Sequence, residues 1–271
     1  MNKPRIAAST YLNSLPLCWS FLWGSNAERC EFIGHLAPAR CADLLRRGEV
    51  DLALIPSIEY HRMDEALIVP DIAVAVRGPV WSVILLSEKP LEDITSVALD
   101  LSSRTAAALT RIFFRHFLGR EVEYRTFAPD LTQMLRAADA ALLIGDPALL
   151  ANYHNRTLRI TDWGERWLEL TGLPFVFAFW AVRREAVDRL TAVDFLAVRQ
   201  EATSSLRQIV DESANRLRLP PSYVETYLTQ CIHYDLDAEC LRGLQRFYEL
   251  AHRVGLIDSV KPLQFYRPPR S

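Results

Sequence analysis

The chain has 271 residues, of which 50% are hydrophobic and 24% charged, with 31 Lys and Arg against 33 Asp and Glu; these proportions exclude the disordered and fibrous classes. A formal net charge of −2 and an isoelectric point near 6.3 leave no long-range field to hold a nucleic acid or an anionic membrane, so neither partner is expected. Any anion must be held by a few local donors, which points to a small ligand.

At roughly 100–200 residues per domain, the length fits one large domain or two smaller ones. The segment 1–24 begins basic and turns apolar, but Ser9, Thr10, Asn13 and Ser14 interrupt the apolar run and no cleavage site follows. It reads as mature, cytoplasmic protein rather than a secretory signal. No run approaches the roughly 20 apolar residues of a membrane span. The five cysteines (Cys18, Cys30, Cys41, Cys231, Cys240) are odd in number and contain no C-x-x-C pair, so neither a disulfide framework nor a zinc knuckle is expected. Cys18 and Cys41, among apolar neighbours, read as buried thiols.

In chain order, residues 5–9 read as a strand, 38–48 as a helix closed by Gly48, and 51–55, 68–76 and 80–87 as further strands. A fresh unit follows Pro90. Residues 97–101 form a strand, and Ser102-Ser103-Arg104-Thr105 open a helix running to about Leu118, with Ala108, Ile112, Phe113 and Phe117 at helical spacing. Residues 140–144 read as a strand, followed by the turn Gly145-Asp146-Pro147 and a short helix, and 172–183 as a long β-prone run. Residues 185–256 are almost wholly helical in pattern, with a break at Pro220-Pro221 and a last helix from about Asp237 to Arg253. Strand-helix-strand order implies parallel pairing in an α/β sheet.

Two α/β units fit this order best, with residues 82–180 inserted as a second lobe into a first lobe made of 1–81 and 181–271. The chain crosses between them near 78–82 and 179–182. Ligands of such folds sit in the cleft at the carboxyl ends of strands, where four polar clusters fall. Asn13 offers amide donors and an acceptor, or else caps the next helix. Ser57 is either an N-cap or a group turned toward the cleft. Ser102-Ser103-Arg104-Thr105 combines hydroxyls, a guanidinium and the positive end of a helix, enough to hold a carboxylate, or is a capping motif with a solvated Arg104. Asp146 is an N-cap, a cleft carboxylate, or both.

Common catalytic signatures are missing: the sequence has no G-x-S-x-G, H-E-x-x-H, Walker loop or G-x-G-x-x-G. The histidines (His35, His61, His116, His154, His233, His252) show no metal-ligand spacing, and no metal site is expected.

The ordered set Tyr11-Leu12-Asn13-x-x-Pro16-Leu17, Ala53-Leu54-Ile55-Pro56-Ser57-x-Glu59-Tyr60, Ser82-Val83-x-Leu85-x-Ser87, Ser103-Arg104-Thr105, Leu143-Ile144-Gly145-Asp146-x-Ala148-Leu149, Asp162-Trp163-Gly164-x-x-Trp167 and residues 171–180 resembles the menaquinone-biosynthesis chorismate dehydratase family of the futalosine pathway. The resemblance runs from about residue 5 to residue 183. It implies a type II periplasmic-binding-protein-like fold used as a cytoplasmic lyase, monomeric or homodimeric, that needs no cofactor or metal. The implied reaction removes water from chorismate to give 3-[(1-carboxyvinyl)oxy]benzoate.

Such an enzyme needs two carboxylate grips, a base near C3 and a donor near the departing C4 oxygen. Under this resemblance Ser103, Arg104 and Thr105 grip one carboxylate, while Asn13 and Ser82 orient the other carboxylate or the hydroxyl. Ser57 adds a binding hydroxyl. The catalytic candidates are Asn13 and Asp146; Glu59 and Asp162 are the other carboxylates in matched motifs. Alternatively the substrate's own enolpyruvyl carboxylate takes the proton. Two rival readings share the fold: a non-catalytic small-anion binding protein, and the dihydroxynaphthoate-forming enzyme of the same pathway.

Overall fold

The computed structural model describes residues 3–34 and 37–268; His35 lies outside them. The strands are β1 (Arg5–Ala7), β2 (Glu31–Ile33), β3 (Leu52–Pro56), β4 (Ala66–Val76), β5 (Val83–Ser87), β6 (Ser96–Asp100), β7 (Glu123–Phe127), β8 (Ala140–Ile144), β9 (Arg159–Asp162) and β10 (Phe175–Arg183). They form two five-stranded sheets, β2-β1-β3-β10-β4 and β7-β6-β8-β5-β9. The central strands β3 and β5 are buried along their whole length, which matches their continuous apolar runs.

The helices are α1 (Leu15–Leu22), α2 (Pro38–Arg46), α3 (Thr105–Ile112), α4 (Leu131–Ala137), α5 (Gly145–His154), α6 (Trp163–Thr171), α7 (Phe195–Ser204), α8 (Leu206–Leu217), α9 (Pro221–Thr226) and α10 (Ala238–Arg253). The helix expected from Ser102 to Leu118 is α for its first part only, and passes into a π-helical turn over Phe113–Phe117. None of the described helices is long and apolar enough to cross a membrane. All five cysteines are buried and free.

Parallel pairing holds for β1 with β2 and β3, and for β6 with β7 and β8. It fails at β10 and β5, which run antiparallel to both of their neighbours. The cause is the crossing between lobes. A strand that arrives directly from the other sheet starts at the cleft, where the parallel strands end, so it must run the opposite way. Thus Val83, the first residue of β5, pairs with Ile144, the last of β8.

The chain leaves the first sheet after Val76 and enters the second at Val83, so the 81/82 boundary falls in the connecting link. The expected return at 180/181 falls inside β10, all of which pairs in the first sheet, from Phe175↔Val76 to Arg183↔Ala66. The return crossing therefore lies between the end of β9 at Asp162 and the start of β10 at Phe175. The C-terminal region also contributes more to the first sheet than helices. Tyr266 N donates to Ile68 O (2.7 Å) and Ala75 N to His233 O (2.8 Å), which covers parts of the edge strand β4. The exposed Pro70-Asp71 bulge interrupts the rest of that edge.

One carboxylate ties the outgoing link to the second lobe. Asp162 caps α6 by accepting from Gly164 N (2.9 Å) and Glu165 N (3.1 Å), and also takes the amides of Val80 (3.0 Å) and Trp81 (2.7 Å). A Cβ at Gly164 would come within 2.4 Å of Gly78 O, so only glycine lets the helix approach the link this closely. Burial raises the Asp162 pKa, and the four amides oppose the rise.

Candidate functional site

Between the lobes lies a cavity of about 70 Å³. Leu54, Val74, Val83 and Phe177 give it apolar walls, and Ser9, Tyr11, Asn13, Ser14, Ser102, Ser103, Arg104 and Thr105 line its polar side. The strand ends supply these groups as the fold requires: β1 leads into residues 9–14, β6 into 101–104 and β8 into Ile144-Gly145.

Four helix starts meet this cavity: α1 after Ser14, α2 at Pro38, α3 at Thr105 and α5 at Gly145. None of the four carries a side-chain cap. Four helices that start elsewhere (α4, α6, α7 and α10) are each capped by an aspartate: Asp130, Asp162, Asp194 and Asp237. Of the remaining two, α8 continues from α7 across Ser205 and α9 opens on Pro220-Pro221. The first turns of α1, α2 and α3 hold no acidic residue, and that of α5 holds only Asp146, which is bonded to Leu12 N and Arg216. Positive helix ends without an internal carboxylate, as at α1 to α3, favour an external anion. The α3 start is the richest in donors, because α1 and α2 open on prolines while the first amides of α3 have no intrahelical acceptor. Just before it, the Ser103 hydroxyl is buried without a partner.

The candidate residues separate by how their polar atoms are used. Asn13, Ser103, Arg104 and Thr105 line the cavity. Ser14 Oγ donates to Asn13 Oδ1 (3.1 Å), and the Asn13 carbonyl accepts from Tyr234 OH (3.0 Å). Thr105 Oγ1 accepts from Ile58 N (3.3 Å) across the lobe boundary.

Arg104 carries its charge differently from expectation. Its guanidinium is bonded to Glu59 (2.6 Å) and to both oxygens of Asp43 (2.9 and 3.0 Å), carboxylates of the first lobe. Glu59 is fully buried and also holds Arg62 at 2.6 Å. In this arrangement Arg104 joins the lobes, and the carboxylate grip falls to its neighbours.

Ser57 and Ser82 stand behind the cavity wall. Ser57 begins a 3₁₀ turn, Ser57–Arg62, and donates to Val176 O (2.8 Å). The Ser82 hydroxyl accepts from Tyr227 OH (2.6 Å), and its carbonyl accepts from Gly145 N (2.8 Å). Asp146 also points elsewhere: it accepts from Leu12 N (2.8 Å) and pairs with Arg216 (2.8 Å). Among the described residues, no Asp, Glu or His lines the cavity.

Tyr11 and Ser102 belong to motifs visible in the sequence, but their roles depend on contacts across the cleft. The Tyr11 ring lies against Gly145, whose φ is +64° and whose Cβ, if present, would fall 2.3 Å from that ring. Burial raises the pKa of the Tyr11 hydroxyl, and Ser102 beside it opposes the rise. Ser102 Oγ in turn donates to Asp100 (2.6 Å), a buried carboxylate whose pKa burial also raises.

Among the described residues, metal-binding residue types meet in one place, away from the cavity. His233, Asp237 and Cys240 lie within 4.8 Å of one another, at a helical spacing. Asp237 is already the α10 cap and bonds His233 (3.0 Å) and Arg77 (2.6 Å), while burial pushes the Cys240 thiol up to about 12. This is a helix-start network with a protonated thiol.

A sequence model of the menaquinone-biosynthesis family matches residues 4–253. A chorismate dehydratase from Thermus thermophilus is 34% identical over 232 residues, covering 79% of this chain and 84% of its own. Among solved structures, protein AF1704 from Archaeoglobus fulgidus superposes with a TM-score of 0.69 at 17% identity, covering 94% of this chain and 98% of its own. The alkanesulfonate-binding protein SsuA from Xanthomonas axonopodis pv. citri, bound to MOPS, gives 0.68 at 18%, covering 95% and 94%. With the two mixed α/β sheets, these neighbours show a periplasmic-binding-protein fold.

Proposed function

The chain belongs to the menaquinone-biosynthesis family, and we propose that it is a chorismate dehydratase, a carbon-oxygen lyase of the cytoplasm that converts chorismate to 3-[(1-carboxyvinyl)oxy]benzoate. The observation that carries this reading is the set of uncapped helix starts around a partly apolar cavity. They offer positive potential to a dianion although the whole chain is slightly acidic. The similarity to the Thermus thermophilus dehydratase supports the same substrate.

The apolar walls at Leu54, Val83 and Phe177 give the ring of chorismate a surface to pack on, and the cleft, about 70 Å³ in this structure, widens to admit it. One carboxylate takes the α3 amides and the unpartnered Ser103 hydroxyl, with Thr105 beside them, and Asn13 orients the other carboxylate or the C4 hydroxyl. The C3 proton and the C4 hydroxide leave together as one water, and the ring becomes aromatic. The site has only to position the substrate and ease the proton transfer. With Asp146, Glu59 and Asp162 all engaged away from the cavity, the substrate's enolpyruvyl carboxylate is the base this reading favours.

Incubating the purified protein with chorismate tests the reading directly. We expect an aromatic ultraviolet spectrum to grow in without added metal or cofactor. Chorismate that is bound but recovered unchanged would establish the small-anion binding alternative instead. Turnover of a cyclic futalosine derivative in its place would establish the dihydroxynaphthoate-forming alternative.

A further inference from the structure

Asp146 is buried, belongs to the second lobe, and gives both carboxylate oxygens to the first: Oδ1 to the Leu12 amide and Oδ2 to Arg216 on α8, each at 2.8 Å. Leu12 lies in the 9–14 segment, between Tyr11, which packs on Gly145, and Asn13, which lines the cavity. Apart from the Tyr11 contacts, the Asp146 bond fixes how this segment meets the second lobe. A carboxylate held by an opposite charge stays in one orientation, so Arg216 determines where the acceptor for Leu12 N points. Arg216 is itself half exposed, at 49%, and does not line the cavity.

We propose that Arg216 and Asp146 are a positioning pair for the dehydration. Acting through the Leu12 amide, they hold Asn13 in its productive place, and Asp146 takes no proton from the substrate. The inference rests on the reading of Asn13 as a group that touches chorismate. It assigns a role in turnover to an arginine outside the cavity.

The test is a double-mutant cycle. Arg216→Ala and Asp146→Asn should each lower kcat about tenfold with KM changed less than about twofold, because displacing a positioned group slows the chemistry more than it weakens binding. The double variant should also lose only about tenfold, since both changes break one chain of contacts. Arg216→Lys, which keeps the charge, should recover most of the loss. Hydrogen exchange at the Leu12 amide should rise by about tenfold or more in Arg216→Ala, at unchanged melting temperature, because one bond that closes the segment is lost. The pH profile of kcat should keep its shape in every variant.

A loss of about a thousandfold in Asp146→Asn beside a wild-type Arg216→Ala would overturn the proposal, as would losses that multiply in the double variant. Unchanged exchange at Leu12 would also overturn it. If the wild-type protein gives no aromatic product from chorismate, the functional reading fails, and the exchange measurement still decides whether Arg216 and Asp146 hold the segment.

Discussion

Helices α3 and α6 both start close to the boundary between the lobes, and they treat their free amides in opposite ways. At α6 the protein supplies its own carboxylate, Asp162, which collects four backbone amides from the helix and the interlobe link. At α3 no side chain caps the helix, and the Ser103 hydroxyl just before it is buried and unpartnered. Placing a carboxylate at a helix start is an ordinary structural device. Its omission next to a cavity leaves the same chemistry available to a ligand, and the filled α6 start shows what α3 needs to receive.

Filling the open start should have the largest effect. Ser103→Asp puts a carboxylate where the substrate's is expected, and like-charge repulsion with loss of the vacant amides should lower kcat/KM for chorismate at least about a hundredfold. The melting temperature should hold or rise. Normal turnover by this variant would break the comparison.

Emptying the filled start should act on stability instead. Asp162→Ala strands buried amide donors and should cost about 3 kcal/mol, measured by denaturant titration. A smaller perturbation is Ser103→Ala, which should raise KM roughly tenfold, in line with the loss of about 1.5 kcal/mol from one hydrogen bond to a charged group, and leave the melting temperature within about 1 °C. If Ser103→Ala destabilised the fold and Asp162→Ala did not, the roles of the two helix starts would be reversed.

The sequence made the α3 start visible but not how its charges are spent, and it showed Asp162 only within a motif, not as the cap of a helix. A buried run such as Leu52–Pro56 announces itself, because a strand covered on both faces must be apolar. The edge strands β2, β7 and β9, with exposed or half-buried positions, carry no such pattern and emerge only from pairing. Strand direction at β5 and β10 follows from where the chain crosses between lobes, which local pattern does not encode.

The same distinction holds in the site. That Ser103, Arg104 and Thr105 sit between a strand and a helix is local information. That Arg104 is engaged by Glu59 and Asp43 depends on residues 45 and 61 positions away. Asp146 is consumed by partners 134 and 70 positions away. Chemistry-bearing residue types can be read locally, and their availability cannot, because a buried charge takes whichever partner the fold brings to it.

The absence of titratable acids and histidines from the described cavity lining gives the smallest and most discriminating expectation. If the substrate's own carboxylate takes the proton, with a pKa of roughly 4 like other carboxylates, kcat should stay level from about pH 6 to 9, where no lining group changes charge. Stability supplies the control below that range. Burial, with help from Lys261, lowers the His61 pKa from 6.5 to about 4, so the unfolded chain binds a proton that the folded chain refuses. The stability tied to neutral His61 is therefore complete above pH 6.5 and is lost as pH falls toward 4. Melting temperature should decline over that window and flatten in His61→Phe, whereas kcat per folded molecule should not follow it. A kcat that titrates near neutrality in the folded enzyme would mean that a protein group moves the proton after all, and that the open helix starts only bind.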